Sequence, residues 1–154
     1  MGISVDMEFN DRQLKKLLKT YETLPGSTQR RVLRPAIRSG ASIVNKDAKQ
    51  RVPVKTKALK KSLGVRMKTY SRNGVIVGVV GPRVGFRTVG ENGRVNDPAK
   101  YAHLVELGHG GPRPAPPHPF LRPALETNRR RVFSQIKRKT AQGIVKLAQK
   151  AGTK

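Results

Sequence analysis

The chain has no cysteine and no tryptophan. Disulfides, Cys-based metal sites and thiol redox chemistry are therefore excluded, which suits synthesis in a reducing cytoplasm. Aromatic residues make up 5% of the chain, so a core must come from Leu, Val, Ile and Ala, and platforms for base stacking are scarce. No apolar run approaches the roughly 20 residues of a membrane-spanning helix. The opening Met1-Gly2-Ile3-Ser4-Val5-Asp6 lacks a basic flank followed by an apolar stretch, so a soluble, unprocessed chain without a membrane partner is expected. Acid is the other scarcity. Nine Asp plus Glu face 33 Lys plus Arg, a formal charge of +24 with a pI near 11.6.

Self-repulsion on that scale calls for an anionic partner. Nucleic acid is the first candidate, because neutralised phosphates release counterions and give sequence-independent, salt-sensitive affinity. An acidic protein surface is the second. A length of 154 residues fits one domain, 1–154, with one core. Only 36% of residues are hydrophobic, beside 15 Gly and 11 Pro. Such a thin core implies segments that order only against neighbouring subunits, hence an oligomer.

Along the chain, Ile3, Val5, Met7 and Phe9 alternate with polar residues, the period of a half-buried strand. Asn10 or Asp11 can cap a helix bearing Leu14, Leu17, Leu18 and Tyr21, with Lys15, Lys16 and Lys19 on its other face. A longer helix after Ser27 or Thr28 carries Leu33, Ile37, Gly40, Val44 and Ala48 on one stripe. Pro35 either lies in its first turn or kinks it. Asn73-Gly74, between the runs 65–70 and 75–80, signals an antiparallel hairpin. Residues 82–98, with a second Asn-Gly at Asn92-Gly93, read as a mobile loop or a small hairpin.

Asp97 and Pro98 open a short helix that Gly108 closes. The Gly/Pro-rich residues 110–119 exclude helix and central strand and read as an extended arm. A long last helix starts near Pro119, with an exposed face of Arg129, Arg130, Arg131, Lys137, Arg138, Lys139, Lys146 and Lys150. The span 129–150 contains no acid, unlike an ordinary solvated helix that interleaves Glu with Lys. Those eight cations are the candidate contacts to DNA or to an acidic partner.

Chemistry has no anchor here. No Gly-x-Ser-x-Gly elbow or phosphate loop is present. His103, Glu106 and His109 recur at a spacing of three, but Gly108 interrupts their helix and His-Glu-x-x-His is absent. No catalytic residue, cofactor or metal is expected. Glu106 is read as the partner of an Arg on the last helix, Arg122 being the candidate.

Tyr101-Ala102-His103-Leu104-Val105-Glu106-Leu107-Gly108, followed by Pro119-Phe120-Leu121-Arg122-Pro123-Ala124-Leu125, resembles the signature of a phage family. The resemblance is to the small head-tail joining and tail-completion proteins of long-tailed, double-stranded-DNA bacteriophages, including the small tail component of lambda-like coliphages. A weaker match covers 48–62, where Lys57 stands in place of the family's usual Gly, a residue that tolerates positive φ. The family-motif residues are Tyr101, Ala102, Val105, Glu106, Gly108, Pro119, Phe120, Leu121, Arg122, Pro123, Ala124 and Leu125.

The resemblance implies an α+β fold, with a small antiparallel sheet, N-terminal helices and a long C-terminal helix. It implies a structural neck or tail-completion protein of the virion, made in the host bacterial cytoplasm and forming a ring, six-fold as expected here, around the DNA channel. Adjacent connector, tail-terminator or tail-tube proteins would be its partners, with non-specific contact to double-stranded DNA. Six copies would carry six times +24, or +144, whereas duplex in roughly 40 Å of channel brings about 24 phosphates. Most of the charge must then face acidic neighbours. The alternative is a stand-alone basic nucleic-acid-binding protein of ribosomal or nucleoid type.

Overall fold

The computed structural model describes residues 15, 19, 22–23, 26–53, 57–70, 74–90 and 93–151. The expected first strand lies outside these residues, as do Leu14, Leu17, Leu18 and Tyr21 of the expected first helix. Lys15 and Lys19 are described, helical and exposed.

Two long helices dominate: α1 (Gly26–Arg51) and the last, α4 (Leu121–Ala151). At 1.5 Å per residue they are roughly 39 and 46 Å long. They pack antiparallel, because Gly40 faces Val132 and Ile136 while Val32 faces Gly143. A Cβ on Gly40 would sit 2.8 Å from Ile136 Cγ1, and one on Gly143 would sit 2.8 Å from Val32 Cγ1. One glycine from each helix thus brings the two backbones together. At the other end, Asn128 Nδ2 donates to Asp47 Oδ2 at 2.7 Å and Arg51 donates to Thr127 Oγ1 at 3.3 Å.

Helix α1 starts at Gly26, which places Pro35 in its interior rather than its first turn. Pro35 is exposed. The Arg31 carbonyl that loses its helical donor there is thus near water, where the loss is mildest. Gly40, Val44 and Ala48 are buried as their spacing requires, joined by Val32 and Ala36, while Leu33 and Ile37 are only half-buried.

A one-turn helix, α2 (Ala58–Ser62), leads into β1 (Leu63–Tyr70), which pairs antiparallel with β2 (Val75–Pro82) from Leu63↔Pro82 to Tyr70↔Val75. Val65, Met67, Ile76, Gly78 and Val80 face inward. Gly78 allows the sheet to approach α1, since a Cβ there would meet Ile37 at 3.1 Å and Ala41 at 3.3 Å. A second, small sheet pairs β3 (Thr88–Val89) antiparallel with β4 (Val95–Asn96). Helix α3 (Pro98–Leu107) follows.

The arrangement is α+β. Its core cluster is Val44, Ala48, Val52, Leu59, Leu63, Ala102, Phe120 and Ala124. Phe120 is the one aromatic residue of that cluster. Among the described residues no helix is long and apolar enough to cross a membrane.

Candidate functional site

The motif residues meet where α3 ends and α4 begins. Ala102, Phe120 and Ala124 are buried in the core, with Tyr101, Val105 and Leu121 packed against it. A helix start leaves its first backbone N–H groups without partners. Here Phe120 and Leu121 donate to Glu106 Oε2 at 2.8 and 3.0 Å, and Arg122 donates its backbone N–H to Oε1 at 3.0 Å. Pro123 comes next and has no N–H to satisfy. The Phe-Leu-Arg-Pro sequence thus offers three donors, and one carboxylate accepts them all at the positive end of the α4 dipole.

This geometry corrects the expected pairing of Glu106 with the Arg122 side chain. The Arg122 guanidinium instead bonds Glu126 Oε1 at 2.9 Å, one helical turn along. Sequence can bring Glu106 near α4, but only the fold decides whether side chain or backbone supplies the donor. Burial pushes the Glu106 carboxyl up, and the three backbone N–H groups together outweigh it, leaving its pKa below the ordinary 4.5.

Gly108 ends α3 at φ 72°, and a Cβ there would lie 2.8 Å from the Pro117 nitrogen and 2.9 Å from the Ala115 oxygen. Both the conformation and the space require glycine. The following Gly/Pro segment folds back on itself, which differs from an extended arm. His109 and Ala115 exchange two backbone hydrogen bonds of 3.0 Å, and His118 N–H donates to the Val105 carbonyl at 2.8 Å. Residues 109–119 are exposed all the same, with Pro119 next to buried Phe120. His109 Nδ1 lies 3.1 Å from the Gly110 carbonyl, and His103 is exposed. No group of three potential ligands occurs among the described residues.

Of the candidate cations on α4, Arg129, Arg130, Arg131, Lys139, Lys146 and Lys150 are exposed. Lys137 and Arg138 are half-buried rather than exposed, Lys137 lying 5.0 Å from the centre of the Phe133 ring and Arg138 donating to Gln135 Oε1 at 2.8 Å. Carboxylates do little to offset this charge. Asp47 holds Arg51 and Asn128, Asp97 lies 3.6 Å from Arg87, Glu106 caps α4 and Glu126 holds Arg122. Asp97 stands at the N-cap of α3 but makes no side-chain cap bond.

Two surfaces escaped sequence reasoning. The outward residues of β2, Val75, Val77 and Val79, are 46%, 38% and 42% exposed, beside outward Arg66 and Lys68 on β1. An apolar row on the solvent side of a hairpin departs from the usual polar outer face. The run 75–80 is apolar on both faces, so the sequence did not show which face α1 covers. The second surface is an open apolar groove of about 300 Å³ between α1, β2 and α4, bordered by Val44, Val80, Leu125, Val132 and Ile136.

Residues 15–108 match the family model described as Bacteriophage HK97-gp10, putative tail-component. The chain belongs to the HK97-gp10-like family. The matched span includes α1, the main hairpin and the α3 motif through Gly108, and stops before the Phe-Leu-Arg-Pro start of α4. No curated protein and no solved structure matches the chain.

Proposed function

We propose that this HK97-gp10-like protein is a non-catalytic structural component of the virion at the head-tail junction, forming a six-fold ring around the DNA channel. The family match over 15–108 carries this reading. Supporting it are the charge of +24, the engagement of Asp47, Asp97, Glu106 and Glu126 in internal contacts, and the outward valine row, an apolar surface suited to burial against a neighbouring subunit. Basic charge in excess of what channel DNA can neutralise faces acidic surfaces of the adjoining connector or tail proteins. Binding to those purified neighbours weakens as salt rises, because exposed charge pairs are screened.

Electron microscopy of particles lacking the gene tests the assignment. Filled heads beside separate finished tails are expected. Normal joined particles would remove the protein from the neck and favour the stand-alone nucleic-acid-binding reading, which the net charge alone fits equally well.

A further inference from the structure

Among the eight candidate contact cations of α4, two converge on one groove. Arg131, Ser134, Gln135 and Arg138 follow the i, i+3, i+4, i+7 spacing of a single helix face, and with Ile43 of α1 they line an open groove of about 460 Å³. No strand residue lines it, so it is separate from the apolar groove beside β2. No carboxylate lines it either, and the one acid of α1, Asp47, is held by Arg51 and Asn128. The bond from Arg138 to Gln135 Oε1 orients the guanidinium along the helix. With five N–H donors in a planar fork, a guanidinium can hold an internal partner and also donate to a phosphate oxygen.

We infer that this groove is a binding site for the phosphodiester backbone of duplex DNA, with Arg131 and Arg138 contacting phosphates and Ser134 and Gln135 acting as positioning residues. The inference rests on the proposed DNA channel and specifies which face of α4 lines it. Seven residues of helix span roughly 10.5 Å, so two long arginine side chains so placed can each reach a separate backbone phosphate of a duplex lying against this face of α4. The groove offers donors for phosphate oxygens and no aromatic ring, so it suits backbone contact without base stacking or sequence preference.

The test is fluorescence anisotropy of a short duplex of arbitrary sequence with the full chain across a salt series. Replacing both arginines (R131Q with R138Q) is expected to flatten the slope of log affinity against log salt by roughly 1.8, about 0.9 per lost phosphate contact. R129Q with R130Q removes the same charge outside the groove and is expected to flatten it by less than half as much. Equal effects of the two pairs, or no effect of the first, overturn the inference. Should the first pair lower the melting temperature, S134E, which adds a carboxylate and leaves both arginines, gives an independent reading. It is expected to weaken duplex binding, and unchanged binding overturns the site.

Inorganic phosphate at matched ionic strength is expected to compete no better than chloride. Efficient competition would reassign the groove to a free phosphate. Polyglutamate competing as well as duplex, with the same dependence on the two arginines, would reassign it to acidic protein. Either result, obtained while gene deletion still leaves heads and tails separate, sinks the groove and spares the neck assignment.

Discussion

Glu106 shows how much one side chain can organise. Its carboxylate accepts all three N–H groups that the start of α4 presents, so Glu106→Ala strands three donors beside the buried Phe120. The expected cost is about 2 to 3 kcal/mol, readable by urea denaturation. Arg122→Ala leaves the midpoint unchanged, because only its backbone touches Glu106. The depressed pKa also sets a pH dependence. Stability from Glu106 is fully present above the ordinary 4.5 and is lost as pH falls through the lower folded-state value. Acid unfolding of the parent therefore steepens below that point, and Glu106→Gln removes this part of the slope. Lys57 illustrates the opposite case. It occupies φ 55° at the start of α2, where the family usually has glycine, so the turn survives at a cost in backbone strain. Lys57 is exposed, so Lys57→Gly forfeits little packing and is expected to stabilise by about 1 kcal/mol, raising the melting temperature by roughly 2 to 4 °C.

At the scale of elements, the antiparallel α1–α4 pair depends on glycine more than on large side chains. Substituting Gly143 by Leu gains less than about 1 kcal/mol of helix propensity but drives a branched side chain into Val32, which already lies 2.8 Å from a Cβ position. Overpacking of this kind costs about 1 to 3 kcal/mol or more. The expected net result is a lower melting temperature, with helical content by circular dichroism retained below the transition. The main hairpin was legible from Asn73-Gly74 and the runs on either side of it, and the strands pair from Leu63↔Pro82 to Tyr70↔Val75. The course of α1 was legible in part. Its stripe of Leu33, Ile37, Gly40, Val44 and Ala48 marked the packed side, but Pro35 obscured where the helix begins, because proline suits both a first turn and an exposed interior position. The loop after Gly108 was the least legible, since proline composition limits local conformations without revealing that His109 and Ala115 pair across the segment.

For the whole molecule, the buried core cluster and the outward valine row on β2 are separate, so the proposed subunit contact can be altered without touching the core. Val77→Lys changes an outward residue, so the melting temperature of the isolated chain should shift by no more than about 0.5 kcal/mol equivalent. Incorporation of that variant into particles, followed by complementation of a deletion, is expected to fall sharply. Full incorporation would show that the valine face is not a subunit contact. The sequence by itself determined the charge, the exclusion of thiol chemistry, the α+β composition of elements and the resemblance to the family. These follow from counts, spacings and short-range turn chemistry, which act within a few residues. Tertiary structure alone decided that Glu106 caps α4 through the backbone, that the valines of β2 face outward, and that Arg131 and Arg138 share a groove. Each of these depends on which elements pack together, and packing joins residues far apart in the chain through complementary shape that no local pattern encodes.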